Sequence, residues 1–200
     1  MTTRRHLIVF TRTPRLGGTK RRLAREIGDL PAWRFSRLTL RTLLHRLARD
    51  PRWTVWLALT PDAAARGRRG FWPAGCRRLP QGSGDLGARM TRVLRCLPSG
   101  PAVIVGSDVP GIEAHHIAAA FRRLEVHDAV FGPAPDGGYW LAGLRRRPLP
   151  PGLFRDVRWS SPHALADTAA TIPSSRRISL IDELEDVDDA ASYHRWRSSL

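Results

Sequence analysis

Short apolar segments alternate along this chain with segments in which apolar residues recur at helical spacing. The clearest apolar segment is Ala102–Gly106, which is too short for a typical helix and ends at Ser107-Asp108. Strands that alternate with helices predict a mostly parallel sheet covered by helices on both faces. The other predicted strands are Leu7–Phe10, Trp53–Leu59, Arg77–Leu79, Ala129–Gly132, Tyr139–Leu144 and Ile178–Ile181, and the helices include Thr19–Ile27, Asp85–Leu97, His115–Leu124, Ser160–Thr168 and Asp188–Trp196.

One strong turn signal adds an antiparallel element to this sheet. Pro135-Asp136-Gly137-Gly138 separates the strands Ala129–Gly132 and Tyr139–Leu144, which form either a hairpin or two strands with a longer excursion between them. A chain of 200 residues suits one domain with a sizeable core. We therefore expect a single α/β domain over residues 1–200 with a mixed, mostly parallel central sheet.

The net charge of +15 bears on the partners of the chain. A surplus of this size is found in nucleic-acid-binding proteins. The basic residues are nearly all arginines spread along the whole sequence, with small clusters at Arg66–Arg69 and Arg145–Arg147. We interpret them as solvated surface residues and do not expect nucleic acid as a partner, while RNA binding by a non-catalytic protein stays an alternative. A positive field would also attract anionic nucleotides.

Three features of the sequence bear on the cellular location of the protein. No apolar run is long enough to span a membrane, and the N-terminus has no recognisable signal peptide. Cys76 and Cys96 lie in different predicted elements, so neither a disulfide framework nor a zinc site is expected. A cytoplasmic protein is the resulting expectation.

The first candidate site is the loop between the first strand and the first helix. Gly17 and Gly18 allow the backbone to approach a ligand closely, and Thr19 is a plausible cap for the helix. Lys20 is the only lysine in an arginine-rich chain, which indicates a position that needs a compact point charge. Together with Arg21 and Arg22, it predicts a phosphate-binding loop, the alternative being an exposed flexible loop.

Asp108 follows the clearest predicted strand and forms the second candidate site. Ligands of open α/β sheets bind outside the carboxyl ends of the strands. An aspartate at such an end can hold Mg²⁺ or Mn²⁺, which need only one or two carboxylates besides phosphate oxygens and water. The alternative is that Asp108 caps the next helix or fixes the turn at Val109-Pro110.

Two glycine-rich turns form the remaining candidates. Asp136 projects from the Pro135–Gly138 turn, where it is a general base, a metal partner or simply part of an Asp-Gly turn. The Gln81–Gly87 segment matches the dinucleotide pattern G-x-G-x-x-G, but the segment before it is polar and short. We expect it to line a nucleotide or sugar pocket through Gly84 and Asp85, or to pack closely. An NAD-dependent oxidoreductase is the minority alternative.

Two further segments are assigned mainly structural roles. Asp182–Asp189 is the only acidic cluster, and we interpret most of it as a solvated loop that caps the last helix. Asp186 and Asp188 are the members that can still approach a metal or the basic loop. Trp159-Ser160-Ser161-Pro162 is first a helix cap and second a wall of an acceptor site.

Taken in order, these motifs resemble those of a bacterial domain-of-unknown-function family of GT-A glycosyltransferase-like proteins. Some members of that family are labelled arsenosugar-biosynthesis glycosyltransferases or selenodomain-associated transferases. The resemblance extends from Val9 to about Asp188 and ends with Asp186-Val187-Asp188. It rests on five ordered blocks, namely Phe10–Leu23, Gln81–Met90, Val105–Pro110, Gly132–Leu144 and Trp159–Thr168.

The resemblance implies a Rossmann-like GT-A fold, a three-layer sandwich of the nucleotide-diphospho-sugar transferase superfamily, similar to the molybdenum-cofactor guanylyltransferases. It implies that Lys20 and Arg22 face nucleotide phosphates and that Asp108 binds a metal. The chain departs mildly from the family: Arg12 and Arg21 replace a frequent lysine and a threonine, and Ser161 replaces a threonine. The charges of the loop are retained.

The leading hypothesis is metal-dependent transfer of a sugar from a nucleotide-diphosphate sugar to a small-molecule acceptor, with Mg²⁺ or Mn²⁺ as cofactor. The closest alternative is nucleotidyl transfer from a nucleoside triphosphate. The expected sites are catalytic Asp108 and Asp136; metal-binding Asp108; nucleotide-binding Arg12, Gly17, Gly18, Lys20, Arg22, Gly84 and Asp85; and an acceptor region at Gly137, Gly138, Tyr139 and Trp159.

Overall fold

The computed structural model describes residues 4–67, 72–146 and 148–199, which form seven strands and seven helices within those ranges. The strands are β1 (His6–Arg12), β2 (Thr54–Thr60), β3 (Arg77–Pro80), β4 (Ala102–Gly106), β5 (Ala129–Pro133), β6 (Tyr139–Leu144) and β7 (Ile178–Leu180). The helices are α1 (Arg21–Ile27), α2 (Asp29–Leu47), α3 (Ala63–Arg66), α4 (Leu86–Cys96), α5 (Ala114–Val126), α6 (Ala164–Ala170) and α7 (Ala190–Ser198).

The strands form one sheet in the order β3-β2-β1-β4-β6-β5-β7. Every strand runs parallel to the others except β6, which is antiparallel to both of its neighbours. The predicted mixed, mostly parallel sheet is therefore confirmed. β5 and β6 pair directly, so the Pro135–Gly138 turn connects a hairpin, and β7 is the predicted edge strand.

Helices cover both faces of the sheet, so the molecule has three layers. Alternate residues of β1 face opposite sides: Leu7 and Val9 pack with α2 and α5, while Ile8 packs on the other face with α4. All three side chains are fully buried. This two-sided burial accounts for the continuous apolar runs of the central strands.

A smaller cluster joins α1, α2 and α7 at one corner of the sheet. It is centred on Leu23, Phe35 and Val187, with Tyr193 and Trp196 packed against it. Val187 is 2% exposed. The cluster therefore holds the segment before α7 against the helices that follow β1.

Several boundaries differ from the sequence-based predictions for local reasons. α1 begins at Arg21 with Lys20 as its N-cap, because the Thr19 hydroxyl donates to the carbonyl oxygen of Arg15 instead of capping the helix. α6 begins at Ala164 and not at Ser160, and its N-cap His163 makes no side-chain cap hydrogen bond. The described part of the segment between β2 and β3 contains the short helix α3, for which no element was predicted.

One arginine of the two small clusters differs from the solvated residues that the sequence predicted. The Arg146 guanidinium donates to the carbonyl oxygens of Leu97, Pro98 and Gly100, so this side chain ties β6 to the end of α4. Arg68, Arg69 and Arg147 lie outside the described residues. Among the described helices, none is both long enough and apolar enough to cross a lipid bilayer.

Candidate active site

The candidate site lies where the strand order reverses, between β1 and β4. From β1 the chain proceeds to β2 and β3 on one side, whereas β4 opens the other half of the sheet. The register pairs Phe10 with Gly106, so the loops that follow both strands leave the sheet side by side. A crevice outside the carboxyl ends of such strands is the usual ligand position in open α/β sheets.

The loop after β1 directs Lys20 into this crevice. Thr19 closes the loop, because its hydroxyl accepts a hydrogen bond from the Arg15 N–H at 2.9 Å. Lys20 has φ 51° and ψ 50°, a left-handed conformation that is costly for a residue other than glycine. Its ammonium donates to Oδ2 of Asp108 at 2.7 Å and to Oδ1 of Asp188. Strained residues of this kind concentrate at functional sites.

The segment between β7 and α7 follows the same edge of the sheet. The Leu184 N–H donates to the Pro133 carbonyl at 3.2 Å, and the Val187 N–H donates to the Asp108 carbonyl at 3.1 Å. These bonds extend the segment past the ends of β5 and β4. As a result, the residues on either side of buried Val187 reach the crevice.

Three carboxylates converge there. Oxygen atoms of Asp108, Asp186 and Asp188 all lie within 4.8 Å of one another. Burial, together with the negative charges of Asp188 and Asp108, raises the pKa of Asp186 to about 6. Burial by itself lowers the pKa of the Lys20 ammonium. The negative charges of Asp108 and Asp188 outweigh this effect, so the pKa is raised.

The charge balance of this cluster suits a divalent cation. Three carboxylates face the single ammonium of Lys20, which leaves two negative charges at short range. Hard carboxylate oxygens are the ligands preferred by Mg²⁺ and Mn²⁺. The residues therefore fit the metal that the sequence predicted at Asp108, with Asp186 and Asp188 as additional ligands.

A polar cavity of about 310 Å³ lies on one side of the carboxylates. Basic side chains project into it from three elements, namely Arg12 from β1, Lys20 from its loop and Arg89 from α4. The cavity is further lined by Phe10, Thr11, Thr19, Ser36, Thr60, Gln81, Leu86, Ser107, Asp108 and Asp188. Its basic and hydroxyl groups suit a phosphorylated ligand.

A second cavity of about 170 Å³ lies on the other side of the carboxylates. Asp136, Tyr139, Trp140, Trp159 and Asp186 are among its lining residues. The volume is below the roughly 300–1,000 Å³ of pockets for drug-sized ligands, so it suits a small group. Asp108 and Leu86 line both cavities, and Asp108 therefore stands at their junction.

The β5–β6 turn forms one wall of the second cavity. Oδ1 of Asp136 accepts the Gly138 N–H at 2.9 Å, and the second carboxylate oxygen is left for other partners. Gly137 has φ +81°, and a Cβ atom there would lie 2.2 Å from the carbonyl oxygen of Pro162. Only glycine permits this close approach, which brings the turn against the segment that contains Trp159.

Tyr139 is an aromatic residue of this cavity that a hydrogen bond holds in place. Its hydroxyl accepts a hydrogen bond from Thr168 at 3.3 Å, and burial raises the pKa of the phenol far above its usual value. Trp159 meets the Tyr139 ring edge-on at 6.4 Å. The two rings give the small cavity an apolar wall opposite the carboxylates.

The structure brings most, but not all, of the predicted site residues to these two cavities. Gly17 and Gly18 are exposed in the loop, and Gly17 has φ +68°. Arg22 is exposed on α1, where its charge acts on Asp189. The residues that line a cavity are Arg12, Lys20, Asp108, Asp136, Gly138, Tyr139 and Trp159.

The glycine-rich segment after β3 contributes through residues other than those predicted. Gly84 has φ +101°, and Asp85 caps α4 by accepting the Ala88 N–H at 2.7 Å. The polar side chains that reach this cavity from here are Gln81 and Arg89, one on each side of the cap. Gly87 packs against Phe154, so its role is close packing.

Asp186 and Asp188 are site residues that the sequence signalled only weakly. They lie in an acidic segment that resembles an ordinary solvated loop. Apart from the family resemblance, their distinguishing signal is alternation, since an apolar residue stands between two carboxylates. Gln81 and Arg89 carried no such signal.

Solved structures of other proteins share this fold over nearly the whole chain. A protein from Desulfovibrio desulfuricans G20, described as a candidate nucleotide-diphospho-sugar transferase, superposes with a TM-score of 0.81 at 23% identity, over 94% of this chain and 84% of that one. CMP:2-keto-3-deoxy-manno-octonic acid synthetase in complex with CTP superposes with a TM-score of 0.62 at 12% identity, over 98% of each chain.

A third similar structure contains a metal. Rv0371c of Mycobacterium tuberculosis H37Rv in complex with manganese superposes with a TM-score of 0.58 at 14% identity, over 99% of this chain and 100% of that one. At these identities the likeness establishes the fold, which is that of the nucleotide-diphospho-sugar transferases.

Sequence comparison gives the family. No curated protein is significantly similar to the chain in sequence. The profile of a family described as uncharacterized protein conserved in bacteria matches residues 43–161, more than half of the chain. This match confirms the family resemblance that the ordered motifs indicated. The chain therefore belongs to the bacterial family DUF2064 and has a nucleotide-diphospho-sugar transferase fold.

Proposed function

We propose that this protein is a metal-dependent transferase that moves a sugar from a nucleotide-diphosphate sugar to a small acceptor. The observation that carries the proposal is the position of Asp108, between a basic cavity and a small aromatic cavity. A diphosphate placed at this junction has its nucleoside on one side and its sugar on the other. The bond that breaks would then lie beside the three carboxylates.

The basic cavity would bind the nucleotide. Arg12 and Lys20 line it and carry the positive charges that a diphosphate requires. Asp108, Asp186 and Asp188 would hold Mg²⁺ or Mn²⁺ through their oxygens. When bound, the metal supplies positive charge that stabilises the departing nucleoside diphosphate. The manganese complex of Rv0371c, which has the same fold, supports this choice of cofactor.

The aromatic cavity would hold the sugar and the reacting end of the acceptor. Tyr139 and Trp159 offer apolar ring surface, which sugars contact through their C–H groups, and Asp136 offers a carboxylate oxygen for hydroxyls. One oxygen of Asp136 is engaged by the Gly138 N–H, so the other would accept the proton of the acceptor hydroxyl in an inverting reaction.

Nucleotidyl transfer is the second candidate, and one observation favours it. The synthetase of the same fold was solved with CTP, a nucleoside triphosphate. In that reaction the phosphorylated acceptor would occupy the aromatic cavity, and diphosphate would leave. The basic loop and the carboxylates would serve equally well.

Binding and product analysis separate these reactions. Thermal shift with nucleotide sugars and nucleoside triphosphates, with Mn²⁺ or with EDTA, first identifies the donor. A ligand at about 100 times its Kd adds roughly 2.7 kcal/mol of stability. Release of nucleoside diphosphate from the nucleotide sugar supports glycosyl transfer, whereas release of diphosphate from a triphosphate supports nucleotidyl transfer. Identical melting with and without every nucleotide and Mn²⁺ would refute both.

A further inference from the structure

The end of the basic cavity opposite Asp108 is built around a buried glutamine. Gln81 is 3% exposed and follows β3. Its side-chain Nε2 donates to the carbonyl oxygens of Ala58 at 2.8 Å and Thr11 at 3.3 Å. Because both partners are acceptors, the NH₂ group must face them, and Oε1 must face the cavity.

The backbone around Gln81 is fixed as well. Its N–H donates to the Leu59 carbonyl at 3.1 Å, and its carbonyl accepts from the Arg92 guanidinium at 2.9 Å. The next residue, Gly82, donates its N–H to Asp62 at 2.9 Å. Gln81 therefore presents Oε1 at a defined position.

This oxygen orients Arg89. Nη1 of Arg89 donates to Oε1 of Gln81 at 3.0 Å, and Nε donates to the Asp85 carbonyl at 3.2 Å. A guanidinium has five N–H donors in a planar fork. Within the part of the chain that the structure describes, the other three N–H groups of Arg89 have no protein acceptor, and the side chain lines the basic cavity.

The Arg89 guanidinium lies where the proposed nucleotide would place its base. Gln81 is anchored on β2 through Ala58 and on β1 through Thr11. Asp108 follows β4, which lies two strand spacings, or roughly 10 Å, from β2. A nucleotide whose phosphates lie beside Lys20 and the carboxylates would extend its base toward the β2 side. Arg89 is the charged side chain that lines the cavity there.

We propose that Arg89, oriented by Gln81, is a specificity-determining residue that selects guanine over adenine. This inference rests on the proposed function, because it assumes that the basic cavity binds a nucleotide. Guanine presents two neighbouring acceptors, O6 and N7, to which arginine donates in parallel. Adenine has an amino group in place of O6, and a guanidinium has no acceptor to offer it.

The test compares the affinities of GDP and ADP, measured by calorimetry with Mn²⁺, in the full-length protein and in three variants. Arg89→Met removes the fork, and Arg89→Lys keeps the charge while removing the planar pair of donors. Arg95→Met is the matched control, since Arg95 is an exposed arginine on the same helix. Both nucleotides have the same phosphates and the same ring size, so their affinity ratio reports base recognition.

We expect the unmodified protein to bind GDP about tenfold to 100-fold more tightly than ADP. The affinities for GDP and ADP should differ by no more than about twofold in both Arg89 variants, and the preference for GDP should persist in Arg95→Met. Equal affinities in the unmodified protein would overturn the inference but leave the proposed function intact. An equal loss of affinity for GDP and for ADP in Arg89→Met would also overturn the inference and leave the proposed function intact, because it would show that Arg89 contacts phosphate. Failure of both nucleotides to bind the unmodified protein would overturn the inference, and the proposed function would fall with it only if the thermal-shift screen also found no nucleotide that binds.

Discussion

The ammonium of Lys20 lies 2.7 Å from Oδ2 of Asp108, although the two residues are 88 positions apart in the chain. The same ammonium also contacts Asp188. Lys20 therefore acts as the counter-ion of a carboxylate cluster that it does not fully neutralise, and its side chain is only 10% exposed. Removing this charge should affect stability and metal binding in opposite directions.

The substitution Lys20→Met should destabilise the metal-free protein and increase its response to Mn²⁺. The two aspartates are partly exposed, so we expect a cost of about 1–2 kcal/mol, or a fall in Tm of several degrees. Mn²⁺ would supply the missing positive charge, and the Tm should then rise further than in the unmodified protein. Thermal melts with EDTA and with Mn²⁺ measure both effects. Arg21→Met, at the exposed neighbouring position, should show neither.

The substitutions Asp186→Asn and Asp188→Asn should each weaken Mn²⁺ binding at least tenfold, about 1.4 kcal/mol, because each removes a charged ligand. Without metal, Asp186→Asn should not lower the Tm, since it relieves repulsion among three carboxylates. Calorimetric titration with Mn²⁺ and melts in EDTA provide the two readouts. Glu183→Gln removes the same charge from an exposed position of the same segment and should retain full affinity. An unchanged Kd in both aspartate variants would exclude this metal site.

The substitution Gly137→Ala should be far more costly than Gly152→Ala. Both glycines have positive φ, so both substitutions carry about 1–2 kcal/mol of backbone strain. A Cβ atom at Gly152 meets open space, whereas one at Gly137 lies within 2.2–2.7 Å of the Pro162 backbone. The difference between the two free energies of unfolding, measured with urea, isolates this contact. Similar losses in the two variants would show that the turn and the Pro162 segment separate easily.

The stability of the protein should fall in mild acid because of His6. This ring is buried, and Nδ1 accepts the Trp56 N–H at 3.2 Å while Nε2 faces the Ser99 carbonyl. Burial is the main cause of the lowered pKa of His6, and the hydrogen bond to Ser99 only partly opposes it. The contribution of His6 to folding stability is therefore complete above its ordinary pKa of 6.5. It is lost as the pH falls through the lower pKa that His6 has in the folded protein.

Unfolding free energies at several pH values between 7.5 and 5 would check this expectation. The variant His6→Gln keeps a polar side chain but does not ionise in this range. Its stability should decline less steeply than that of the unmodified protein. Parallel curves would show that other groups account for the acid sensitivity.

The sheet was predictable because its central strands are buried on both faces. Ala102–Gly106 is apolar throughout, and the observed β4 has the predicted bounds. Once β1 and β4 are recognised as parallel strands, the meeting of Lys20 and Asp108 follows from the rule that ligand loops gather at the carboxyl ends of strands. The turn at Asp136 was predictable from its glycines, whereas the sequence left open whether the flanking strands pair as a hairpin.

The remainder of the site depends on contacts between distant parts of the chain. The segment with Asp186 and Asp188 has no secondary structure of its own, and its path is set by hydrogen bonds to the ends of β5 and β4. Asp85 was predicted at the nucleotide, but the Ala88 N–H in the first turn of α4 engages its carboxylate. Arg89 owes its direction to Gln81, which lies on another element, and no local pattern reveals such a relationship.

The backbone hydrogen bond from Val187 to Asp108 has a consequence for synthesis of the protein on the ribosome. Lys20 and Asp108 are made early, but two of the three carboxylates come at positions 186 and 188. A nascent chain that has released only the residues up to β7 can already pair most of its strands, yet it has a single aspartate at the switch point. The three-carboxylate cluster is therefore incomplete until the segment after β7 has been made, and a nascent chain that has not reached this segment offers a metal ion only one of the three aspartates.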